Sequence, residues 1–417
     1  MAMCDYQKTK GCPLMNRTLK KAILSNSKSF PVIMLTGPRQ VGKTFLLEAL
    51  KDESCKYISL DDIDERNLAV NNPKLFIQKY EPPVIIDEVQ YAPELFTYIK
   101  IYVDTNKKNG LFYLTGSQKF GLMKGVQESL AGRVAIFDML GFSQKEMQNK
   151  AEESTPFLPD LTINSENDNS RTINDIYEKI WLGSFPRIVI NGAESRDVFY
   201  KSYIQTYIER DVKYDLNIHN NEIKFYNFIR AAAVRTGNLL NYADIARDVD
   251  IDVRTAKLWL NTLERSGLVK LLEPYFVNIA KRMVKTPKIY FLDTGLCSYL
   301  AQINTPQALE ASYLNGNILE TFAFIEILKS YWHNGKEPYI FYYQNHDKKE
   351  VDFVIETNGT LFPMEVKKTA SPSKDDIKNF HLLKALKKPI GTGALICLRS
   401  SALPIDENNV AVPIWDL

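Results

Sequence analysis

From Pro31 onward, apolar runs alternate with amphipathic stretches of helix length. PVIMLTG leads through a glycine turn into FLLEALK, then KYISL, PPVIIDEVQ, LFTYIKIYVDT and GLFYLTGSQ follow. Short β-rich runs separated by helix-length segments predict a parallel sheet with helices on both faces, so residues 1–145 are expected to form an α/β layer domain. The run QKEMQNKAEESTPFLPDLTINSENDNSR, Gln144 to Arg171, is rich in Asn, Ser and Glu. Residues 146–170 are accordingly expected to be a polar surface excursion.

Residues 171–275 read as a helical segment followed by a helix-turn-helix. IYEKIWLGSFPRIVI and VFYKSYIQTYIERDVKYDL have helical patterning. Farther on, a short helix opens at Tyr242, Asp250-Ile-Asp breaks it, and a second runs from Val253 to Glu264, stopping at Ser266-Gly267. Three helices running into a strand pair predict a helix-turn-helix with a wing. Residues 276–417 then show helix (Asn317 to Ser330), strand (Tyr339 to Tyr343), strand (Val351 to Glu356), strand (Leu361 to Lys367), helix (Ser373 to Lys387) and strand (Gly391 to Leu398).

Length and composition narrow the class. At 417 residues the chain exceeds what one core sustains, so several domains are expected. The net charge of +2 gives no global attraction to nucleic acid, so any such binding must come from a local patch. Five dispersed cysteines without a CxxC pair argue against a disulfide framework and a thiolate zinc site. The four histidines show no ligand spacing either. No apolar run is long enough to cross a bilayer and the start lacks a secretory signal pattern, so no membrane partner and a cytoplasmic location are expected.

Gly37-Pro38-Arg39-Gln40-Val41-Gly42-Lys43-Thr44 fits GxxxxGK[ST] between a strand and a helix. Glycine is needed there because backbone N–H groups must wrap closely around phosphates. ATP is the expected ligand, with Lys43 reaching its outer phosphates and Thr44 holding Mg²⁺. Val84-Ile85-Ile86-Asp87-Glu88 is an apolar strand ending in two carboxylates, Asp87 to support Mg²⁺ and Glu88 to polarise the attacking water. Ser117, at the end of another strand, is placed to sense the γ-phosphate. Arg133 has two readings, an arginine finger or a surface salt bridge; Arg210 is a lesser candidate.

GPRQVGKT, VIIDEVQ, LTGSQ and SLAGR resemble the AAA-family ATPases of the archaeal-type clade, which carry a C-terminal domain of unassigned function. YIERDV, KIYFLDTGL and NILETFAFIEIL are similar to the same family, so the likeness covers most of the chain. It implies the P-loop fold and ATP binding. A finger acting in trans would imply a homo-oligomer.

In the helix-turn-helix, Arg254, Lys257 and Arg265 together with the run Lys281 to Lys288 offer a basic face for DNA phosphates. Acidic neighbours Asp244, Asp248, Asp250, Asp252 and Glu264 break up that face, and a lid or protein-docking role stands beside the DNA one.

In EVDFVIETNGTLFPMEVKK, period-two geometry projects Glu365 and Lys367 together, with Lys368 on the opposite face. The element order and these positions resemble the PD-(D/E)xK nuclease superfamily, with Glu320 in the first helix, Asp352 in the second strand, and Glu365 and Lys367 in the third. Val351 stands where the superfamily pattern has proline. The resemblance implies that Asp352 and Glu365 hold Mg²⁺ or Mn²⁺ while Lys367 orients water. Cleavage, and a degenerate domain that binds nucleic acid without cutting, both remain open. The chain is thus expected to be an ATP-hydrolysing switch joined through a winged helix to a nuclease-like, DNA-binding domain. The alternative is a signalling or scaffold ATPase with protein-binding modules.

Overall fold

The computed structural model describes residues 15–51, 53–116, 129–162, 171–207, 222–278 and 286–417. Ser117, Arg210, Lys281, Arg282 and Lys285 lie outside them.

The first domain is a five-stranded, all-parallel sheet in the order β2-β3-β4-β1-β5. Its strands are β1 (Val32–Thr36), β2 (Lys56–Ser59), β3 (Val84–Asp87), β4 (Phe112–Gly116) and β5 (Val134–Asp138). Every residue of β1 is buried, as expected for a central strand covered on both faces. Alternation divides it between two cores. Val32 and Met34 join Ile86, Phe96 and Leu114, while Ile33 and Leu35 join Ile85 and Phe137.

That second core continues into the later modules, taking in Trp259, Tyr290, Phe324 and Phe353, while Val351, Val354 and Leu395 belong to a separate third core. The parallel sheet and the later modules are therefore packed against one another.

The middle module contains α10 (Glu222–Ala233), β6 (Asn238–Leu239), α11 (Tyr242–Val249), α12 (Val253–Arg265), β7 (Val269–Leu272) and β8 (Lys288–Phe291), helices being numbered by their place among those described. Local signals delimit the helix pair. Asn241 caps α11 through its side chain, Asp250 in the left-handed region closes it, and Asp252 accepts the Arg254 and Thr255 N–H groups to open α12. Trp259 anchors the module, its ring edge-to-face with Phe225 at 5.1 Å and Phe228 at 5.4 Å. The antiparallel sheet β6-β8-β7 takes its central strand from beyond residue 275, so the expected boundary at 275 falls inside this module.

The C-terminal module has a six-stranded sheet, β13-β14-β12-β11-β10-β9, beneath α15 (Asn315–Trp332). Its strands are β9 (Ile340–Gln344), β10 (Glu350–Thr357), β11 (Thr360–Val366), β12 (Gly393–Cys397), β13 (Leu403–Pro404) and β14 (Asn409–Pro413). The last two go beyond the strands expected from the sequence. Helix α15 is apolar almost all round and is buried accordingly. The chain following β7 joins the edge of β9, where Tyr275 N–H donates to the Tyr342 carbonyl at 2.6 Å and Tyr342 N–H to Glu273 at 3.2 Å.

The expected surface excursion is corrected at its start. Gln144 and Glu146 are fully buried, because Glu146 faces Arg17 and His333 instead of water. Among the described residues no helix is long and apolar enough to cross a membrane.

Candidate nucleotide site and carboxylate site

The loop after β1 has the backbone that phosphate binding asks for. Gly37 has φ +141°, and a Cβ there would stand 2.1 Å from the Met139 carbonyl oxygen; Gly42 has φ +93°. The loop folds around Lys43, whose Nζ donates to the carbonyls of Gly37 at 3.0 Å and Pro38 at 2.8 Å. Thr44 Oγ1 donates to Asp87 Oδ1 at 2.9 Å, bringing the two expected Mg²⁺ ligands together. Arg39, Gln40 and Val41 complete the loop, Gln40 in the left-handed region at φ 61°. The glycine backbone and the Thr44–Asp87 pair fit a magnesium nucleotide.

Asp87 ends β3 and is buried. It also accepts from Tyr57 at 3.0 Å and from Thr115 in a short hydrogen bond, so all three of these donors are hydroxyls. Burial, and after it Asp87, raise the Tyr57 phenol, which stays a donor. Glu88 sits at φ 55°, in the left-handed backbone region sparsely used by non-glycine residues. Its N–H donates to Thr115 at 3.2 Å and its carboxylate accepts from Gln90. Tyr57 and Thr115 were missed from the sequence; Thr115 was legible as the polar end of an apolar strand.

Arg133 lies just before β5, and its carbonyl accepts from Val32, the first residue of β1. Since β1 and β5 are adjacent and parallel and the phosphate loop leaves the C-terminal end of β1, Arg133 is at the opposite, N-terminal end of the strands. There it pairs with Asp104 at 2.6 and 2.9 Å on the exposed surface.

The carboxylate site is built on the β10–β11 hairpin, turned by Asn358-Gly359 with both φ positive. Phe353 pairs with Met364, and a β-bulge between Val351 and Val354 interrupts the pairing of β10 with β9, beside Asp352. Asp352 N–H points to Glu365 Oε2 at 3.4 Å, Val366 N–H donates to Asp352 Oδ2 at 2.9 Å, and Lys367 Nζ donates to Glu365 Oε1 at 2.7 Å. Helix α15 presents Glu320 to the same region. Lys368 points elsewhere, to Glu310 at 3.2 Å. The sequence-predicted residues Glu320, Asp352, Glu365 and Lys367 are thus neighbours.

Two residues of β8 complete the cluster: Lys288, expected on a basic face for DNA, is instead buried against carboxylates, and Tyr290 was not foreseen. Lys288 Nζ donates to Glu320 Oε1 at 2.9 Å and pairs with Glu350 at 2.5 Å, and the Tyr290 hydroxyl donates to the same Glu320 oxygen. Four carboxylates (Glu320, Glu350, Asp352, Glu365) then face two ammonium groups, leaving an excess of negative charge. Burial and then Asp352 push Glu365 up to about 8. Burial, opposed by Lys288 and reinforced by Asp352, raises Glu320 to about 7. Asp352 Oδ1 accepts no hydrogen bond from the described residues, although Asp352 is 8% exposed. An undercompensated pair, Asp352 and Glu365, with an unclaimed oxygen fits a hard divalent ion. Glu320 is drawn toward Lys288 and Tyr290, and no three acidic, histidine or cysteine side chains among the described residues are gathered for a metal.

A second buried cluster connects this module to the phosphate loop. Leu140, next to the Met139 that Gly37 abuts, donates its N–H to His333 Nε2 at 3.2 Å, and its carbonyl accepts from Arg17. Glu146 accepts from Arg17 at 3.0 Å, Thr18 N–H at 2.8 Å and Ser143 N–H at 2.9 Å, with His333 Nδ1 3.4 Å away. Glu326 accepts from Gln144 N–H and from Lys329, which also bonds the Phe142 carbonyl. One helix, α15, therefore carries Glu320 on an early turn, with Glu326, Lys329 and the capping His333 toward its end. On the other side, a Cβ at Gly267, just after α12, would meet Pro38 of the phosphate loop at 3.1 Å.

Residues 29–148 match the family model of an AAA domain. Residues 173–307 and 315–417 match two domains of unknown function, DUF8612 and DUF4143. Uncharacterized proteins of Mycobacterium bovis and Mycobacterium tuberculosis are each 27% identical over 387 residues, 92% of this chain and 80% of theirs. Among solved structures, a DNA replication initiation factor is 16% identical with TM-score 0.25, covering 60% of this chain and 91% of that one. The Thermotoga maritima RuvB Holliday junction branch migration motor is 15% identical with TM-score 0.28, covering 60% and 86%. The family match and the parallel sheet make the first domain an AAA-type P-loop domain.

Proposed function

We propose that this chain is an ATP-hydrolysing switch whose AAA-type domain controls a DNA-binding module bearing a one-metal carboxylate site. The observation that carries the reading is α15, which reaches from Glu320 in the carboxylate cluster to His333 against the shoulder of the phosphate loop.

In the nucleotide site, the loop Gly37–Thr44 binds phosphates, with Lys43 exchanging its loop carbonyls for phosphate oxygens. Thr44 and Asp87 hold Mg²⁺, and Glu88 orients the attacking water. Ser117 follows β4 in sequence and is assigned to γ-phosphate sensing. Arg133, at the end of the strands opposite the phosphate loop, acts as a finger only toward a second copy, which makes the active form a homo-oligomer. Lys43→Ala then loses ATP binding and turnover, whereas Arg133→Ala keeps binding and loses turnover. Equal loss of binding in both removes Arg133 from the site.

A winged-helix reading of the middle module is supported by its element order of helix, strand, helix, helix, strand, strand. Arg254, Lys257 and Arg265 are exposed on α12 and suit DNA phosphates. In the C-terminal module Asp352 and Glu365 hold Mg²⁺ or Mn²⁺, the ion polarises a scissile phosphate when bound, and Lys367 positions the water. A second reading, a DNA-binding switch that does not cut, is favoured by the grip of Lys288 on Glu320.

Supercoiled plasmid and single-stranded DNA, incubated with Mg²⁺ or Mn²⁺ and with or without ATP, separate the two. Metal-dependent nicking that Asp352→Ala and Lys367→Ala abolish supports the cutting form. ATP turnover with no nicking, but with salt-sensitive DNA binding, supports the second. Loss of both DNA activities moves the chain to the scaffold class.

A further inference from the structure

We propose that Lys288 is a built-in counter-cation of the carboxylate cluster, a positioning residue that withholds Glu320 and Glu350 so that a divalent ion binds through Asp352 and Glu365 alone. The inference deepens the metal reading above and rests on it.

Lys288 comes from a different module than the carboxylates it meets. It opens β8, the central strand of β6-β8-β7, where its backbone is paired with Leu239 on one side and Leu272 on the other. A lysine so anchored and 3% exposed is held in place. Its ammonium stands 2.9 Å from Glu320 and 2.5 Å from Glu350, with the Tyr342 ring 5.8 Å away. Tyr290, two residues on and so on the same face of the strand, adds its hydroxyl to the same Glu320 oxygen. The other Glu350 oxygen accepts from Gln344 at 3.1 Å. Burial opposes the ammonium, but Glu320, Asp352 and Glu350 outweigh it and keep Lys288 charged.

An ammonium within hydrogen-bond distance of a carboxylate oxygen excludes a metal ion from that oxygen and repels one bound nearby. Asp352 escapes this altogether, and Glu365 gives only its Oε1 to an ammonium, that of Lys367 at 2.7 Å, and keeps Oε2 clear of one. Neither accepts a hydrogen bond from Lys288, and Asp352 Oδ1 has no donor among the described residues. The cluster is therefore divided between a half filled by a protein cation and a half left for a divalent one. Since β8 belongs to the middle module, the metal affinity of the C-terminal module depends on that strand staying in place.

The test is Mn²⁺ binding to the nucleotide-free full chain, read as free Mn²⁺ by electron paramagnetic resonance. Lys288→Met is expected to tighten binding by about tenfold or more. It also makes Glu320 a ligand, so Glu320→Gln, silent in the parent, weakens binding in the Lys288→Met background. Lys288→Arg keeps the charge and the parent affinity. Lys288→Gln, with a circular-dichroism check of folding, guards against a misfolded Met variant. Unchanged or weaker Mn²⁺ binding in folded Lys288→Met and Lys288→Gln overturns the inference, as does equal weakening by Glu320→Gln in both backgrounds. If Asp352→Asn leaves binding untouched in every background, the metal reading itself falls and the role of Lys288 with it. Binding that needs Asp352 but ignores Lys288 overturns the counter-cation alone.

Discussion

Two clusters of buried carboxylates lie at the two ends of α15, and they have been treated oppositely. Glu146 is fully buried among Arg17, His333 and two backbone N–H groups; burial opposes its charge, but Arg17 and then His333 bring its pKa down to about 2. At Glu320 and Glu365, burial and Asp352 win over the lysines and the pKa values rise to about 7 and about 8. One cluster is compensated and closed. The other has surplus negative charge and a carboxylate oxygen without a donor. A charge-balanced network is an interdomain clamp, even with Arg17 Nε and His333 Nδ1 left without hydrogen bonds, whereas one with uncompensated charge is the mark of a candidate site.

The largest expected effect breaks the clamp. Glu146→Gln leaves Arg17 as a poorly matched buried charge and is expected to destabilise the chain by on the order of 3–5 kcal/mol, read as a fall in melting temperature. Asp352→Asn is expected to act in the opposite direction. In metal-free protein at pH 8 it relieves repulsion at Glu320 and Glu365 and raises stability by on the order of 1 kcal/mol. A destabilisation comparable to that of Glu146→Gln would erase the distinction between the clusters.

Acid and base separate them further. Glu146 has a folded-state pKa below its ordinary 4.5, so its contribution is complete above that value and is lost as pH falls toward about 2. Burial lowers His333, so below about 6.5 the unfolded chain takes up a proton that the folded one resists, again favouring unfolding in acid. Glu320 and Glu365 have the reverse sign. Their raised values make the folded metal-free state hold protons the unfolded state releases, so stability falls between 4.5 and about 8. Melting temperatures from pH 4 to 9 should show Asp352→Asn flattening the alkaline side only. The smallest change is Tyr290→Phe, which removes one hydroxyl from Glu320 while Lys288 still holds it; about 1 kcal/mol or less is expected in a thermal melt.

Much of this was legible because it is written locally. The glycine pattern at Gly37 and Gly42 needs only adjacent residues to specify a loop, and Asp252 specifies the start of α12 through its own next two N–H groups. The hairpin, with Asn358-Gly359 at its turn, carries Asp352 and Glu365 to one place by register. The misses have a common origin. Glu146 lies in a polar run and was expected in water, and Lys288 ends a basic run expected on a face for DNA, yet it opens the buried strand KIYF. Arg133 is near the motifs in sequence, yet the parallel pairing of β1 and β5 puts it at the wrong end of the strands for its own phosphate loop.

By itself the sequence determined the identity and spacing of the chemistry: a phosphate loop, an acidic strand end, a capped helix pair and a hairpin with alternating charges. These depend on backbone propensity and on periods of a few residues, which a chain carries wherever it folds. Only the tertiary structure decided which charges meet, because Coulomb and desolvation energies depend on distance and burial and not on separation along the chain. Arg17 reaches Glu146 across 129 positions and Lys288 reaches Glu320 across 32, and these meetings make one cluster a clamp and the other a candidate site.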